Sequence, residues 1–297
     1  MKPAPFAYLA PRSVDEALAH LAEHGSDARP LAGGQSLVRL MNSRLATPSV
    51  LIDINRVDGL AAISRENGAD GGSVRIGATA RQRDCETAPE VRDGVPVFAE
   101  AARQVAHLPV RRRGTAVGSV AFADPSAELP AALLAADGEV VARSTRGERT
   151  IAADDFFTGP FTSALAPDEL AVALRIPVTA AERTGSAFVE ESRRHGELPM
   201  CGVAAVVTLD NDGAVAQARI ALCGVHRRPI RARDAEAALL SEHPDDELLQ
   251  AAGALAASAA DPVGDCHGSA AFRRHLAAVL TRRALATAIS RAEERNA

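Results

Sequence analysis

Two glycines and a serine stand where a predicted loop turns into a helix near the start of the chain. The segment reads Ala32-Gly33-Gly34-Gln35-Ser36, and the apolar residues after it recur at the spacing of one buried helical face. Glycine lets a ligand approach the backbone closely, and Ser36 is a candidate N-cap. Since the loop has no Lys or Arg, backbone N–H dipoles would hold any phosphate oxygens here. A tight turn without a ligand is the alternative interpretation.

A second stretch whose residues could bind a ligand runs from Arg111 to Pro130 and is rich in small residues. Small side chains over this length suit a backbone that runs beside a flat ligand. Taken alone, its features also fit simpler interpretations. The arginine triplet at its start is typical of a solvated surface cluster. Asp124 would be a turn or cap residue, and Glu128 would be an exposed acid before a helix.

Composition narrows the function classes. The 297 residues suffice for two domains and a substantial core. Aromatic residues make up 3% of the chain and Trp is absent, which argues against nucleic-acid binding by base stacking. The net charge of −5 argues in addition against a general nucleic-acid surface or an anionic-membrane surface.

The cysteines indicate neither a metal site nor disulfides. Cys85, Cys201, Cys223 and Cys266 lack Cys-x-x-Cys spacing, so the sequence predicts no zinc or iron–sulfur ligands and favours reduced, mostly buried thiols. The first ten residues lack the apolar core of a signal peptide. The sequence contains no run of 18 apolar residues, so it predicts no transmembrane helix. We therefore expect a cytoplasmic protein without membrane insertion.

Hydrophobic periodicity predicts the elements that position these stretches. Residues 1–58 read as a β-α-β-α-β unit, followed by a hairpin over 59–78, several helices and a strand over 169–176. The composition changes near 177–181, where we place a domain boundary. Three antiparallel strands, with Asn211-Asp212-Gly213 as a hairpin turn, then precede three helices.

Together, the motifs resemble the FAD-binding medium subunit of the molybdenum hydroxylases, the family of xanthine dehydrogenase and carbon monoxide dehydrogenase. The resemblance covers nearly the whole chain, and several matches in the family's order are more specific than either loop alone. The matching segments are Ala32 to Ser36, Arg113-Gly114-Thr115 with Gly118-Ser119, Ala123-Asp124-Pro125, Glu128-Leu129-Pro130, Gly202-Val203-Ala204-Ala205, Gly213, Gly224 and Gly264-Asp265-Cys266-His267.

The resemblance implies an α+β fold with two domains. Residues 1–177 would form a two-subdomain α/β FAD-binding domain, divided near residue 58. Residues 178–297 would form a C-terminal flavoprotein domain with a three-stranded antiparallel sheet and helices.

The resemblance also implies the cofactor, FAD, and the residues that hold it. Backbone N–H groups from Ala32 to Ser36, Gly33, Gly34 and Gln35 included, would bind the pyrophosphate. The other expected cofactor-binding residues are Thr115, Gly118 and Ser119 on its second side, Asp124 of the Ala-Asp-Pro motif, Glu128 near the ribose or adenine, and Leu170 as an apolar ring contact. No residue of this chain is assigned a catalytic or metal-binding role.

By the same resemblance, the chain is an electron-transfer subunit. A large molybdopterin-binding subunit and a small iron–sulfur subunit would be its partners, and oxygen, NAD or a quinone-type carrier the external acceptor. Val117 stands where the family usually has a glycine, and Glu190 lies where many members have a basic or aromatic residue. These departures leave open a scaffold subunit that has lost FAD. A self-sufficient FAD-dependent oxidase of the same flavin superfamily is a further alternative.

Overall fold

The N-terminal unit is a small parallel sheet with two helices. A computed structural model describes residues 1–68, 71–179 and 181–295. Its first elements are β1 (Ala7–Leu9), α1 (Val14–His24), β2 (Ala28–Leu31), α2 (Leu37–Asn42) and β3 (Val50–Asp53). The strands are parallel in the order β1–β3–β2, which is the predicted β-α-β-α-β unit. Because parallel strands end at one edge of a sheet, the loop after β2 and the turn after β3 lie side by side.

The middle unit is a five-stranded antiparallel sheet in the order β4–β5–β10–β6–β7, with helices and a short hairpin. Its strands are β4 (Ile63–Glu66), β5 (Ser73–Gly77), β6 (Glu139–Ser144), β7 (Gly147–Ala152), β8 (Phe157–Gly159), β9 (Thr162–Ser163) and β10 (Leu170–Pro177). Its helices are α3 (Gln82–Thr87), α4 (Pro89–Gly94), α5 (Pro96–Gln104), α6 (Leu108–Arg111), α7 (Ala116–Phe122), α8 (Glu128–Ala135) and α9 (Ala153–Phe156).

The C-terminal unit is an antiparallel sheet followed by helices. It contains β11 (Thr184–Glu191), β12 (Cys201–Leu209), β13 (Val215–Cys223), β14 (Ile230–Arg231), α10 (Arg233–Leu239), α11 (Asp246–Ala259) and α12 (Ala270–Glu294). The sheet has four strands in the order β11–β12–β13–β14, so the prediction of three strands is corrected. The sequence does not mark β14, because its two residues are too few to show an alternating pattern.

The sheet of the C-terminal unit is buried on both faces. Phe188, Ala204 and Ala221 belong to the hydrophobic core of the N-terminal and middle units. Val203 and Leu222 belong to a second core that α11 and α12 help to build. Burial on both sides explains why β12 reads as a continuous apolar run rather than an alternating one.

Helix α8 begins earlier than its proline indicates. Proline suits the first position of a helix, so the sequence predicts a start at Pro130, but the helix begins at Glu128 and Pro130 is its third residue. Residue 180, inside the predicted boundary region, and residues 69 and 70, inside the predicted hairpin turn, lie outside the described part of the chain. The boundaries of the two predicted domains stay predictions.

The cysteine side chains agree with the expectation of mostly buried thiols. Cys85, Cys201 and Cys223 are buried free thiols, and Cys266 is an exposed one. Across the described ranges, no helix combines the length and the apolar character that crossing a bilayer requires.

Candidate functional site

The glycine loop lies between β2 and α2, in contact with a loop from the middle unit. Gly33 is packed so tightly that a Cβ atom there would lie 2.4 Å from the carbonyl oxygen of Arg113 and 2.7 Å from Cα of Gly114. Gly34 has a φ of +72°, in the left-handed region that favours glycine. One glycine is thus required by the contact between the loops, and the other by its own conformation.

This loop has backbone donors to offer. Ser36 occupies the N-cap position of α2, but its hydroxyl makes no capping hydrogen bond, so the predicted cap is corrected. The Gln35 side chain donates to the carbonyl oxygen of Gly33 at 3.2 Å. Among the residues that the structure describes, the backbone N–H groups from Gly33 to Ser36 donate to no protein acceptor. They are available to a ligand.

The second loop is shaped by a helix cap. The Thr115 hydroxyl accepts the N–H of Gly118 at 3.1 Å and caps α7, with Ser119 half-buried one residue further on. A Cβ atom on Gly118 would lie 2.5 Å from Thr115 Oγ1 and 4.0 Å from Cβ of Ala32. Val117 is 2% exposed and belongs to the hydrophobic core. Because its side chain points into that core, it gives no reason to expect loss of FAD.

An open cleft of about 280 Å³ follows the glycine loop. Its lining consists of Leu31, Ala32, Gly33, Gly34, Gln35, Val38, Arg39, Asp53, Asn55 and Arg113. The glycine loop itself carries no cation, but Arg39 and Arg113 are among the residues that line the cleft. Backbone N–H groups and guanidinium groups are the donors that bind phosphate oxygens, so the cleft fits an anionic ligand.

Sequence reasoning missed four residues at this site: Arg39, Asn55, Arg81 and Arg113. Asn55 Nδ2 donates to the carbonyl oxygen of Ala32 at 2.8 Å, and Arg81 Nη1 donates to that of Arg113 at 2.8 Å. The signal for Asn55 is its place just after β3, at the sheet edge where the glycine loop also lies. The sequence carries no comparable local signal for Arg81, whose partners are 26 and 32 positions away.

The arginine triplet is not a uniform surface cluster. Arg111 is 8% exposed, and its guanidinium donates to Glu86 at 3.2 Å and to the carbonyl oxygens of Val105 and Ala106. This corrects the surface interpretation for Arg111, while Arg112 and Arg113 are exposed as that interpretation expected.

Asp124 and Glu128 lie apart from the cleft lining, beside the C-terminal unit. Asp124 accepts the N–H of Ser126 at 2.9 Å, and burial raises its pKa. Glu128 is 2% exposed, and burial raises its pKa to about 7. Burial, and next the charge of Glu128, raise the pKa of Glu190 on β11 to about 8. Glu128 is therefore a member of a buried acid pair and not an exposed acid before a helix.

Leu170 also lies away from the cleft lining. It begins β10, is 3% exposed in the core, and pairs with Arg143 of β6. Its predicted contact with a cofactor ring stays a prediction, as do the individual roles of the other expected cofactor-binding residues.

Two family models match this chain over most of its length. Residues 4–179 match the FAD binding domain in molybdopterin dehydrogenase, and residues 186–288 match the CO dehydrogenase flavoprotein C-terminal domain. The chain belongs to the FAD-binding medium subunits of the molybdenum hydroxylases. FAD is therefore the cofactor of this medium subunit, and molybdopterin belongs to another subunit, as in CO dehydrogenase.

Curated relatives and a solved structure agree with the family. The chain is 41% identical to the 6-hydroxypseudooxynicotine dehydrogenase complex subunit alpha of Paenarthrobacter nicotinovorans, over 98% of this chain and 97% of that one. It is 36% identical to the caffeine dehydrogenase subunit beta of Pseudomonas sp. (strain CBB1), over 98% and 97%. A chain of the carbon monoxide dehydrogenase structure from Hydrogenophaga pseudoflava superposes with a TM-score of 0.93, at 40% identity over 98% and 99%. The medium subunit is thus an oxidoreductase component with an α+β fold.

Proposed function

We propose that this medium subunit carries electrons from iron–sulfur clusters in a partner subunit, through FAD, to an external acceptor. The observation that carries the proposal is an FAD-binding chain whose thiols are not arranged as cluster ligands. Three of its cysteines are buried free thiols and one is an exposed free thiol, without Cys-x-x-Cys spacing. When bound, FAD supplies the redox chemistry, and the protein supplies position and electrostatics.

The two loops would hold the diphosphate part of FAD. Free backbone N–H groups from Gly33 to Ser36 would donate to the pyrophosphate oxygens, and Arg39 and Arg113 would add charge at the edge of the cleft. Ala32 would belong to the first loop with these donors, and Thr115, Gly118 and Ser119 would line the opposite side. This arrangement is supported by the contact of Gly33 with Arg113 and Gly114, which places both loops at one point.

The remaining expected residues would contact other parts of FAD. We propose Asp124 and Glu128 as acceptors near the ribose or adenine, and Leu170 as an apolar contact to a ring. Glu128 supports this role in one respect: its carboxyl group is nearly inaccessible to water, with an exposed fraction of 2%. A ligand hydroxyl group that donated to it would form that hydrogen bond away from competing solvent.

The partners would be a large molybdopterin-binding subunit and a small iron–sulfur subunit. The relatives support an assembly, because they are named as subunits or medium chains of dehydrogenases. The corresponding subunits of dehydrogenases named for 6-hydroxypseudooxynicotine, caffeine and carbon monoxide are 36–41% identical in sequence to this chain. We therefore assign the choice of substrate to the large subunit. Oxygen, NAD or a quinone-type carrier would accept the electrons.

Flavin reduction tests the relay. The full chain is expressed alone and together with the large and small subunits, and the flavin absorbance is followed after substrate is added. We expect FAD in both preparations and reduction by substrate in the complex alone. Reduction of the isolated chain's FAD by an organic substrate at a catalytic rate would replace the relay with a self-sufficient oxidase.

A further inference from the structure

The two FAD-binding loops come from distant parts of the chain and yet touch. Gly33 and Arg113 are 80 positions apart in sequence, and the first loop belongs to the N-terminal unit while the second belongs to the middle unit. Their contact is between backbones, at the carbonyl oxygen of Arg113. A ligand that binds both loops requires a fixed distance between them, so something must hold that carbonyl group in place.

Two side chains connect the loops directly. Asn55 Nδ2 donates to the carbonyl oxygens of Ala32 at 2.8 Å and Leu31 at 3.3 Å, which fixes the start of the first loop. Asn55 Oδ1 accepts from Arg81 Nη2 at 2.8 Å. The other arm of the same guanidinium, Nη1, donates at 2.8 Å to the carbonyl oxygen of Arg113, the atom that faces Gly33.

Each end of this bridge is anchored to a regular element. The backbone N–H of Asn55 donates to Asp53 at the end of β3, at 2.9 Å. On the other side, Arg81 precedes α3 and forms an isolated antiparallel bridge with Thr115, the cap of α7. The hydrogen bonds of Asn55 to Ala32 and to Arg81 are partly buried, so water competes for them less than it does for the exposed one between Arg81 and the Arg113 carbonyl oxygen.

We propose that Asn55 and Arg81 are positioning residues that hold the two loops at the separation which the pyrophosphate of FAD requires. The inference rests on FAD binding between these loops. It does not require that either side chain touch the cofactor. A guanidinium suits the task because it is planar and presents donors in a rigid fork, whereas a lysine ammonium cannot reach two acceptors in that geometry.

The test compares the affinity of the full chain for FAD after three substitutions. Arg81→Lys keeps the charge and loses the fork, Arg81→Met loses both, and Asn55→Ala removes the link to the first loop. Arg149→Lys is the matched control, because the guanidinium of Arg149 also donates to one side chain, the carboxylate of Glu169, and to one backbone carbonyl group, that of Ala164. The dissociation constants for FAD and for ADP, which keeps the pyrophosphate but lacks the flavin, are measured on the flavin-free chain.

We expect each of the three variants to lose about tenfold to a hundredfold in affinity for FAD, given the strength of hydrogen bonds to a charged donor. ADP should lose affinity by a similar factor, and Arg149→Lys should change neither constant. In the double variant of Asn55→Ala with Arg81→Met, the losses should not add, because both break one connection.

Three results would overturn the proposal. Wild-type affinity for FAD in Arg81→Lys and Asn55→Ala would show that the bridge is not needed. Full affinity in Arg81→Lys with a loss in Arg81→Met would show that charge acts alone. A loss for FAD without a loss for ADP would place the effect away from the pyrophosphate. If instead the wild-type chain bound no FAD, the assignment of the loops themselves would fail.

Discussion

At the residue scale, the backbone of the second loop occupies the space that a side chain at Gly33 would need. We expect Gly33→Ala to force the loops apart, because its Cβ would lie 2.4 Å from the Arg113 carbonyl oxygen. Overpacking of this kind costs roughly 1–3 kcal/mol, which corresponds to about a tenfold to hundredfold loss of affinity for FAD. Titration of the flavin-free variant with FAD measures it.

Gly213→Ala is the control for that substitution. Gly213 has a φ of +87°, but a Cβ atom there would meet nothing within 4 Å. We expect this variant to lose a little stability through backbone strain and to bind FAD normally. Normal FAD binding by Gly33→Ala would show that the backbone contact between the loops does not shape the site.

A second residue-scale prediction concerns the acid pair Glu128 and Glu190. Burial raises the pKa of Glu128 to about 7 and, with the charge of Glu128, that of Glu190 to about 8, against an ordinary value of 4.5. The folded flavin-free chain therefore holds protons that the unfolded chain releases. Stability from these groups is fully present below about pH 4.5 and is lost as pH rises through 7 and 8.

Glu190→Gln should reduce the slope of the free energy of unfolding against pH by roughly 1.4 kcal/mol per pH unit. This is the contribution of one group that titrates in the unfolded state only. Urea denaturation between pH 5 and pH 8 measures the slope. Glu191→Gln, on the same strand but exposed, should leave the slope unchanged, and an equal slope in both variants would contradict the buried pair.

The sequence identifies the glycines of the site but not the state of its charged residues. Gly33 and Gly34 are recognisable because a loop-to-helix corner restricts residue type locally. Burial of Glu128 and Arg111 depends on Glu190 and Glu86, which are distant in sequence, so the same residues look like exposed charges when only their neighbours along the chain are considered. Their environment becomes visible only once the units pack together.

At the scale of elements, the cap of α7 links helix stability to the site. Thr115→Val removes the hydroxyl that accepts the Gly118 N–H at 3.1 Å and keeps the shape of the side chain. We expect a loss of about 1 kcal/mol in the free energy of unfolding and weaker FAD binding, measured by thermal unfolding and by titration. Thr115→Ser retains the hydroxyl and should restore both, and a failure of the serine variant would point to packing of the methyl group instead.

Elements with strong local signals are predictable from sequence. The run Ser13-Val14-Asp15-Glu16 is a local N-cap pattern, and in the structure the Ser13 hydroxyl accepts the N–H of Glu16 at 3.1 Å. The predicted turn at Gly213 joins β12 to β13. Elements without such signals are misjudged. Helix α8 starts two residues before Pro130. Proline is tolerated anywhere in the first turn of a helix, because the N–H groups there have no partner within the helix, so its position does not fix the first residue.

At the scale of the molecule, Glu100 connects the middle and C-terminal units. Its carboxylate accepts the backbone N–H of Phe188 at 3.0 Å and the guanidinium of Arg291 at 2.6 Å, which joins α5 to β11 and α12. Glu100→Ala should cost about 2 kcal/mol, because both donors are left without this partner. Faster hydrogen exchange along β11 should accompany the loss.

Glu148→Ala provides the comparison for Glu100. Glu148 pairs with Arg143 at 3.9 Å, and its side chain is 51% exposed, so its loss should change stability by less than about 0.5 kcal/mol. If the two variants unfold alike, the Glu100 contacts do not stabilise the junction between the units.

The contact between the two loops has a consequence for how the chain matures. Because Gly33 and Arg113 belong to different units, the proposed FAD site between the loops would exist only after both units have folded and docked. Cofactor capture would then be a checkpoint on assembly: incompletely folded chains would not retain the flavin, and completed ones would be stabilised by it, by about 2.7 kcal/mol when free FAD is a hundredfold above its dissociation constant. A cell short of riboflavin would consequently accumulate less of this chain, through turnover of its flavin-free form rather than through slower synthesis.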